Sequence, residues 1–169
     1  MWIDADILIT DMNKSLESVI AESDRSSSSA ETSLILPRDE SAKAGGIVIN
    51  NGAYLLKNNA WGRAFILAME NAYEQYKDDP TPEQDAFQDY VYQVLKTPNR
   101  QPLRVFREDQ VLPEVVLVRQ RAFDSFYRPG FSDPDVARWA PGDFAAHFSG
   151  ISADVRVHEM KKVIRDLRL

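Results

Sequence analysis

Short apolar runs, broken by single polar residues, mark the strands expected in this chain. The run Trp2–Ile9 is apolar except for Asp4 and Asp6, which predicts a buried strand. Residues i and i+2 of a strand point to one face, so we expect the two carboxylates side by side. Further strands are predicted at Leu34–Leu36, Ile47–Ile49, Ala53–Leu56, Leu103–Phe106, Val115–Val118 and Asp143–Phe148.

Apolar residues recur at helical spacing in four other segments. The predicted helices are Lys14–Glu22, Trp61–Tyr76, Pro82–Lys96 and Ala153–Leu167, the last within a C-terminal helical segment 153–168. The last helix is expected to turn Val157, Met160, Ile164 and Leu167 inward. The polar, serine-rich stretch 23–33 is predicted to be a mobile loop. Strands that alternate with helices predict the α/β class.

Length and composition fit one globular domain, 1–169. The chain has 169 residues, 44% of them hydrophobic, which is enough to form a core. Its net charge of −6 argues against a nucleic-acid partner, because such proteins present basic surfaces. There is no cysteine, which excludes disulfides and thiolate metal sites. We see neither a signal peptide nor an apolar run near the about 20 residues of a membrane span.

Asp4 and Asp6 suggest metal chemistry on their own. Two close carboxylates repel each other and are costly to desolvate unless a positive charge lies between them. Hard oxygen ligands suit Mg²⁺, Mn²⁺ or Ca²⁺. The alternative is a pair of solvated acids at the end of a strand.

Several short motifs, in the same order along the chain, resemble one enzyme family. They are Trp2-Ile3-Asp4-Ala5-Asp6, Asn50–Asn58 followed by Trp61, Pro82-Glu83-Gln84-Asp85-Ala86, Arg121–Phe126, and Gly142-Asp143-Phe144 leading to His147-Phe148-Ser149-Gly150. Together they resemble the galactosyl-, mannosyl- and xylosyltransferases of glycosyltransferase family thirty-four, which includes fungal α-1,2-galactosyltransferases and plant xyloglucan xylosyltransferases. The resemblance covers most of residues 2–150.

The resemblance implies a GT-A-like sheet with flanking helices and a metal-dependent reaction. Such an enzyme transfers a hexose or pentose from UDP-galactose, UDP-xylose or GDP-mannose to an oligosaccharide or polysaccharide acceptor, with retention of configuration. Asp4, Asp6 and His147 then match the ligands of Mn²⁺ or another divalent cation. For His147 the alternative is a hydrogen-bonded core histidine. The parent protein is expected in the Golgi membrane or lumen.

Glu83 and Gln84 match the family's polar residues beneath the donor sugar and are the candidate catalytic residues. The same-face mechanism of the family needs no protein nucleophile, and an amide carbonyl can stabilise developing positive charge. The alternative for Glu83 is a simple preference of acids for the first turn of a helix.

Asn50, Gly52, Asp143 and Gly150 match substrate-binding positions of the family. A glycine at position 52 is explained equally well by backbone geometry. Asp143 is expected either to orient His147 or to close a turn.

Two departures from the family pattern limit the resemblance. Ile151–Asp154 follows Gly150 where plant members carry a lysine, and the first basic residue is Arg156. The family's N-terminal, nucleotide-binding half has no counterpart here, so we expect the chain to need that half or a related partner. Alone, it is expected to be poorly soluble and inactive, with Ile7–Ile9 lacking a neighbouring strand.

Two other functions compete with the transferase. One is an inactive fragment that serves as a binding or assembly module. The other is a phosphohydrolase of the haloacid dehalogenase type, since Asp4–Leu8 also resembles its first strand. That class requires a later Ser/Thr, a Lys and a second acidic pair in a context that is not evident here.

Overall fold

The computed structural model describes residues 1–23, 32–39, 49–94, 110–111, 114–128 and 138–169. The predicted strand Leu103–Phe106 lies outside them, as do most of the loop 23–33 and residues 47–48. The strands are β1 (Trp2–Ile3), β2 (Ile7–Ile9), β3 (Leu34–Pro37), β4 (Ala53–Leu56), β5 (Gln110–Val111), β6 (Val115–Val118), β7 (Ser125–Phe126) and β8 (Ala145–His147). The helices are α1 (Leu16–Ser23), α2 (Ala60–Tyr76), α3 (Pro82–Val94) and α4 (Ala153–Leu167), with a 3₁₀ turn at Gln120–Ala122.

The described strands form two mixed sheets. The larger has the order β1-β4-β3-β6-β5, in which β3 and β6 are parallel and the other neighbours antiparallel. The smaller has the order β2-β8-β7, in which β8 is antiparallel to β2 and parallel to β7. The predicted α/β class is therefore confirmed at the level of mixed sheets with flanking helices.

Alternation along the central strands distributes the core over both faces of the larger sheet. In β3, Leu34 and Leu36 join one cluster, whereas Ile35 joins another. The first cluster includes Phe65 of α2 and Phe87 of α3, so these helices cover that face. The second includes Val19 of α1, Ile7 and Ala145 of the smaller sheet, and Phe144, which directly precedes β8. The smaller sheet thus packs against the larger one, and a seam runs between them.

Helix α4 packs on the smaller sheet through Met160, Val163 and Leu167, which contact the cluster around Phe148. The bounds of α4 match the prediction, but Val157 was wrongly expected inward and is 50% exposed. In the described part of the chain, no helix combines the length and the apolar character needed to cross a bilayer.

The predicted strand Trp2–Ile9 is wrong as a single element. The chain turns at Asp4–Ile7, where the Ile7 amide donates to the Asp4 carbonyl at 3.1 Å, and β1 and β2 belong to different sheets. Trp2 is 54% exposed, so β1 is not a buried strand. A turn leaves both carboxylates partly solvated, which a buried strand would not allow. The expectation that Ile7–Ile9 lacks a neighbour is also wrong, because β2 pairs with β8.

Candidate metal centre

Asp4, Asp6 and His147 meet at the seam between the two sheets. One potential ligand atom from each lies within 4.8 Å of the others. Backbone bonds fix the turn that carries the aspartates: the Asp4 amide donates to the Gly52 carbonyl and the Phe148 amide to the Asp6 carbonyl, both at 2.8 Å. The structure therefore brings together the three predicted ligands, although a turn and not a common strand face presents the two acids.

The His147 imidazole lies between two carboxylates. Its Nε2 is 3.5 Å from Oδ1 of Asp6, and its Nδ1 is 2.8 Å from Oδ1 of Asp124. His147 is 4% exposed and Asp124 is completely buried. Strand alternation explains the direction of the ring, because His147 shares a strand face with Ala145, which packs toward the larger sheet.

These neighbours control the charge of the imidazole. Burial lowers the pKa of His147, but the carboxylates of Asp124 and Asp6 outweigh it and raise that pKa to about 10. Burial raises the pKa of Asp124 to about 6 against the opposing effect of His147. The two carboxylates therefore favour the protonated imidazolium form of His147.

The two aspartates of the turn differ in their electrostatic surroundings. His147 lowers the pKa of Asp6 more than burial raises it, and Arg156 lowers it further. The Arg156 guanidinium is 3.4 Å from Asp6 and is held by two hydrogen bonds to the Ile151 carbonyl. Asp4 accepts a hydrogen bond from the Trp2 indole at 3.0 Å, yet burial keeps its pKa raised. Asp4 is thus the carboxylate with the weaker cationic support.

Asn50 and Gly52 form the wall beside His147. The Asn50 side chain accepts a hydrogen bond from the Gly52 amide at 2.9 Å. A Cβ atom on Gly52 would lie 2.5 Å from Cε1 of His147, closer than real Cβ contacts. Glycine is therefore required here by the close approach of the imidazole. A substrate-binding role for these two residues stays a prediction.

Glu83 and Gln84 lie in the first turn of α3, which contacts the segment before Asn50. The Gln84 side-chain amide donates to the Ile49 carbonyl at 3.2 Å, next to Asn50. Desolvation by burial is the main cause of the raised pKa of Asp4, and the charge of Glu83 adds slightly to it. The catalytic roles of Glu83 and Gln84 stay predictions.

Asp143 makes a structural network and does not hold His147. Its carboxylate accepts two hydrogen bonds from Arg121, one from the Ser125 hydroxyl and one from the Ala140 amide. The expectation that Asp143 closes a turn is confirmed, whereas the alternative, that it orients His147, is wrong. Asp124 occupies that place. The sequence contained a signal, since Asp124 lies in the Arg121–Phe126 motif, but its role was not recognised.

Gly150 lies apart from these carboxylates, in a neighbouring cleft. Its φ of +68° favours glycine. The cleft has a volume of about 1040 Å³, and its lining includes Gly150, Tyr127, Arg138 and Trp139. Trp139 is therefore accessible in this cleft, whereas Phe148 is fully buried and belongs to the core.

The donor set fits a divalent cation. Ligand atoms bound to one ion at about 2.0–2.6 Å can be up to about 5 Å apart, which accommodates the separation in this cluster. Two carboxylates and one imidazole suit a borderline ion such as Mn²⁺.

Comparisons of the chain with models of known protein families, with curated proteins and with solved structures found no match. What the chain does must therefore be inferred from the chemistry of its site.

Proposed function

We propose that this chain is the metal- and acceptor-binding part of a retaining, GT-A-type glycosyltransferase similar to the galactosyl-, mannosyl- and xylosyltransferases. The observation that carries the proposal is the convergence of Asp4, Asp6 and His147 from opposite ends of the chain. The parent protein would act in the Golgi on a nucleotide sugar and a glycan acceptor.

Asp4, Asp6 and His147 would hold Mn²⁺ or a similar cation. When bound, the ion neutralises the diphosphate of the donor and stabilises it as a leaving group. Arg156, 3.4 Å from Asp6, adds a fixed positive charge beside the same place. Arg156 lies in the first turn of α4. It would contact the diphosphate, a role for which the segment Ile151–Asp154 provides no basic residue.

Gln84 and Glu83 would act on the sugar. The Gln84 amide nitrogen is bound to the Ile49 carbonyl. The carbonyl oxygen of the Gln84 side chain would then point to the sugar. The dipole of this carbonyl would stabilise the positive charge that develops on the sugar as the glycosidic bond breaks. Glu83 would accept hydrogen bonds from sugar hydroxyls or add to that stabilisation. The bond to Ile49 places the first turn of α3 beside the segment that carries Asn50 and Gly52, which supports both roles.

The acceptor would bind in the cleft beside α4. Sugar rings pack on aromatic side chains, and Tyr127 and Trp139 lie in this cleft together with polar groups. Its volume of about 1040 Å³ is slightly larger than the usual range of about 300–1,000 Å³ for ligand sites, which suits an oligosaccharide.

Donor screening tests the proposal. UDP-galactose, UDP-xylose and GDP-mannose are offered to the full-length parent and to residues 1–169, with Mn²⁺ or with EDTA. We expect transfer by the parent that requires the cation and is lost in His147→Ala, while Glu70→Gln, an exposed change on α2, has no effect. Transfer that persists in EDTA, or in His147→Ala, contradicts the proposal.

Gln84→Ala in the parent tests the assignment of the site. A group that acts in the transition state lowers kcat more than it weakens donor binding. We therefore expect a fall in kcat with donor Kd nearly unchanged. A weaker Kd with unchanged kcat would instead assign Gln84 to ground-state binding.

A further inference from the structure

Asp124 is a fully buried carboxylate that the proposed chemistry does not use. It lies between the 3₁₀ turn and β7, and its backbone amide donates to the Gln120 carbonyl at 2.9 Å. A completely buried carboxylate is costly and is normally paired with a cation or a metal ligand. Its partner here is His147, whose Nδ1 lies 2.8 Å from Oδ1; the pair is a close ionic contact in which the ring N–H is not aligned as a hydrogen bond, and no other described residue pairs with either atom.

The contacts of His147 assign its two ring nitrogens to different tasks. Nδ1 faces Asp124, and Nε2 faces Asp6 on the side of the acidic turn. A proton held on Nδ1 leaves the lone pair of the neutral ring on Nε2, the atom that faces the acidic turn.

The ring is also held sterically. Gly52 lies against Cε1 so closely that a Cβ atom would clash, and the Phe126 ring is 5.6 Å away, centroid to centroid. A ring confined in this way cannot flip without losing its contact with Asp124. The orientation of His147 is thus determined by Gly52 on one side and by the segment that carries Asp124 and Phe126 on the other.

We infer that Asp124 is a positioning residue: it holds His147 in the orientation and tautomer that direct Nε2 to the cation shared with Asp4 and Asp6. This inference rests on the metal site of the proposed function. Asp124 does not itself reach the cation. Carboxylates that orient metal-binding histidines commonly determine metal affinity in this way.

Metal affinity and histidine tautomer, measured on the same variants, test the inference. Isothermal titration with Mn²⁺ gives the affinity, and ¹⁵N NMR of His147 in the Zn²⁺-loaded protein gives the tautomer. We expect Asp124→Leu to lose the Nδ1–H tautomer and to bind Mn²⁺ about 10- to 100-fold more weakly. Thr10→Val is the matched control, because it removes buried hydrogen bonds to Asp143 and Trp139 and leaves His147 untouched.

If Asp124→Leu does not fold, Asp124→Asn serves as the second variant, because asparagine is nearly isosteric with aspartate and retains an acceptor oxygen. We expect the Mn²⁺ affinity to follow the tautomer in every folded variant. A variant that retains Nδ1–H should bind Mn²⁺ within about threefold of wild type. A variant that has lost it should bind about 10- to 100-fold more weakly. Wild-type affinity in a variant that has lost the tautomer overturns the inference alone. No Mn²⁺ binding by the unaltered chain overturns the proposed function together with it.

Discussion

At the scale of single residues, the site is organised around His147, whose ring lies between Asp6 and Asp124. Asp4, Asp6 and His147 were predicted to meet, and they do. Asp124 was missed because burial cannot be read from one polar residue within an aromatic segment. Its contact with His147 depends on the parallel pairing of β7 and β8, which local patterns do not encode.

Gly52 offers the most direct steric test of the site. The added methyl of Gly52→Ala would lie 2.5 Å from Cε1 of His147, so the ring must move. We expect stability to fall by about 1–3 kcal/mol, as in other overpacked sites, and Mn²⁺ affinity to fall about tenfold, the lower end for a disturbed ligand orientation. Urea denaturation and titration calorimetry measure the two effects.

Gly62→Ala is the control for that variant. A Cβ on Gly62 would lie 2.1 Å from the Lys57 carbonyl oxygen, at the start of α2 and away from the acidic turn. It should therefore lower stability without changing Mn²⁺ affinity. Equal losses of affinity in both variants would show that the effect comes from general destabilisation.

The raised pKa of His147 predicts pH-dependent metal binding. A cation binds the imidazole only after Nε2 has lost its proton, and the pKa of about 10 means that this proton is present at neutral pH. Each unit of increasing pH below 10 should therefore raise the apparent Mn²⁺ affinity about tenfold, one proton being released per ion. Titrations at pH 7 and 8 are sufficient, because Asp124, with a pKa of about 6, is mainly ionised at both.

His158→Gln is the control for the pH effect. His158 is exposed on α4 and is the only other histidine of the chain. Its variant should keep the same pH dependence. An affinity that does not change between pH 7 and 8 would contradict a ligand imidazole that must lose a proton at neutral pH.

At the scale of elements, helices were predicted well and the first strand was not. Helical spacing fixed α2 and α4 to within one residue, because a buried stripe must repeat every turn. The run Trp2–Ile9 contains no glycine or proline, so composition alone could not reveal the turn at Asp4–Ile7. The structure supplies the missing reason: each half pairs with a different, distant strand.

Asp143 links the 3₁₀ turn, β7 and the segment before β8 through the hydrogen bonds of its carboxylate. Its carboxylate accepts four hydrogen bonds, from Arg121, Ser125 and Ala140. Asp143→Ala leaves these donors without their acceptor, and we expect it to lower the free energy of unfolding by about 2–3 kcal/mol, since exposed parts of Arg121 regain water. Ser125→Ala removes one of the bonds and should cost about 1 kcal/mol. Equal losses in urea denaturation would contradict a network centred on Asp143.

At the scale of the whole molecule, the site lies where two sheets meet, and no local pattern could predict that seam. Gly52 directly precedes β4 of the larger sheet, and Asp4 directly follows β1 of the same sheet; His147 lies in β8 of the smaller sheet. Strand pairing between the two ends of the chain, as in β2 with β8, follows from tertiary packing. The motif resemblance predicted that the three ligands converge. It did not predict the order of the strands, because that order depends on tertiary packing.

A cation at this seam should therefore stabilise the entire fold. Its ligands come from both ends of the chain, so an ion bound there is released when the sheets separate. At a concentration about 100-fold above Kd, a ligand bound only by the folded state adds about 2.7 kcal/mol, which for a chain of this length corresponds to a rise in Tm of several degrees. Thermal unfolding followed by circular dichroism, with Mn²⁺ and then with excess EDTA, measures the change. His147→Ala should abolish it, whereas His158→Gln should preserve it. A rise of the same size in His147→Ala would place the bound ion somewhere other than the seam.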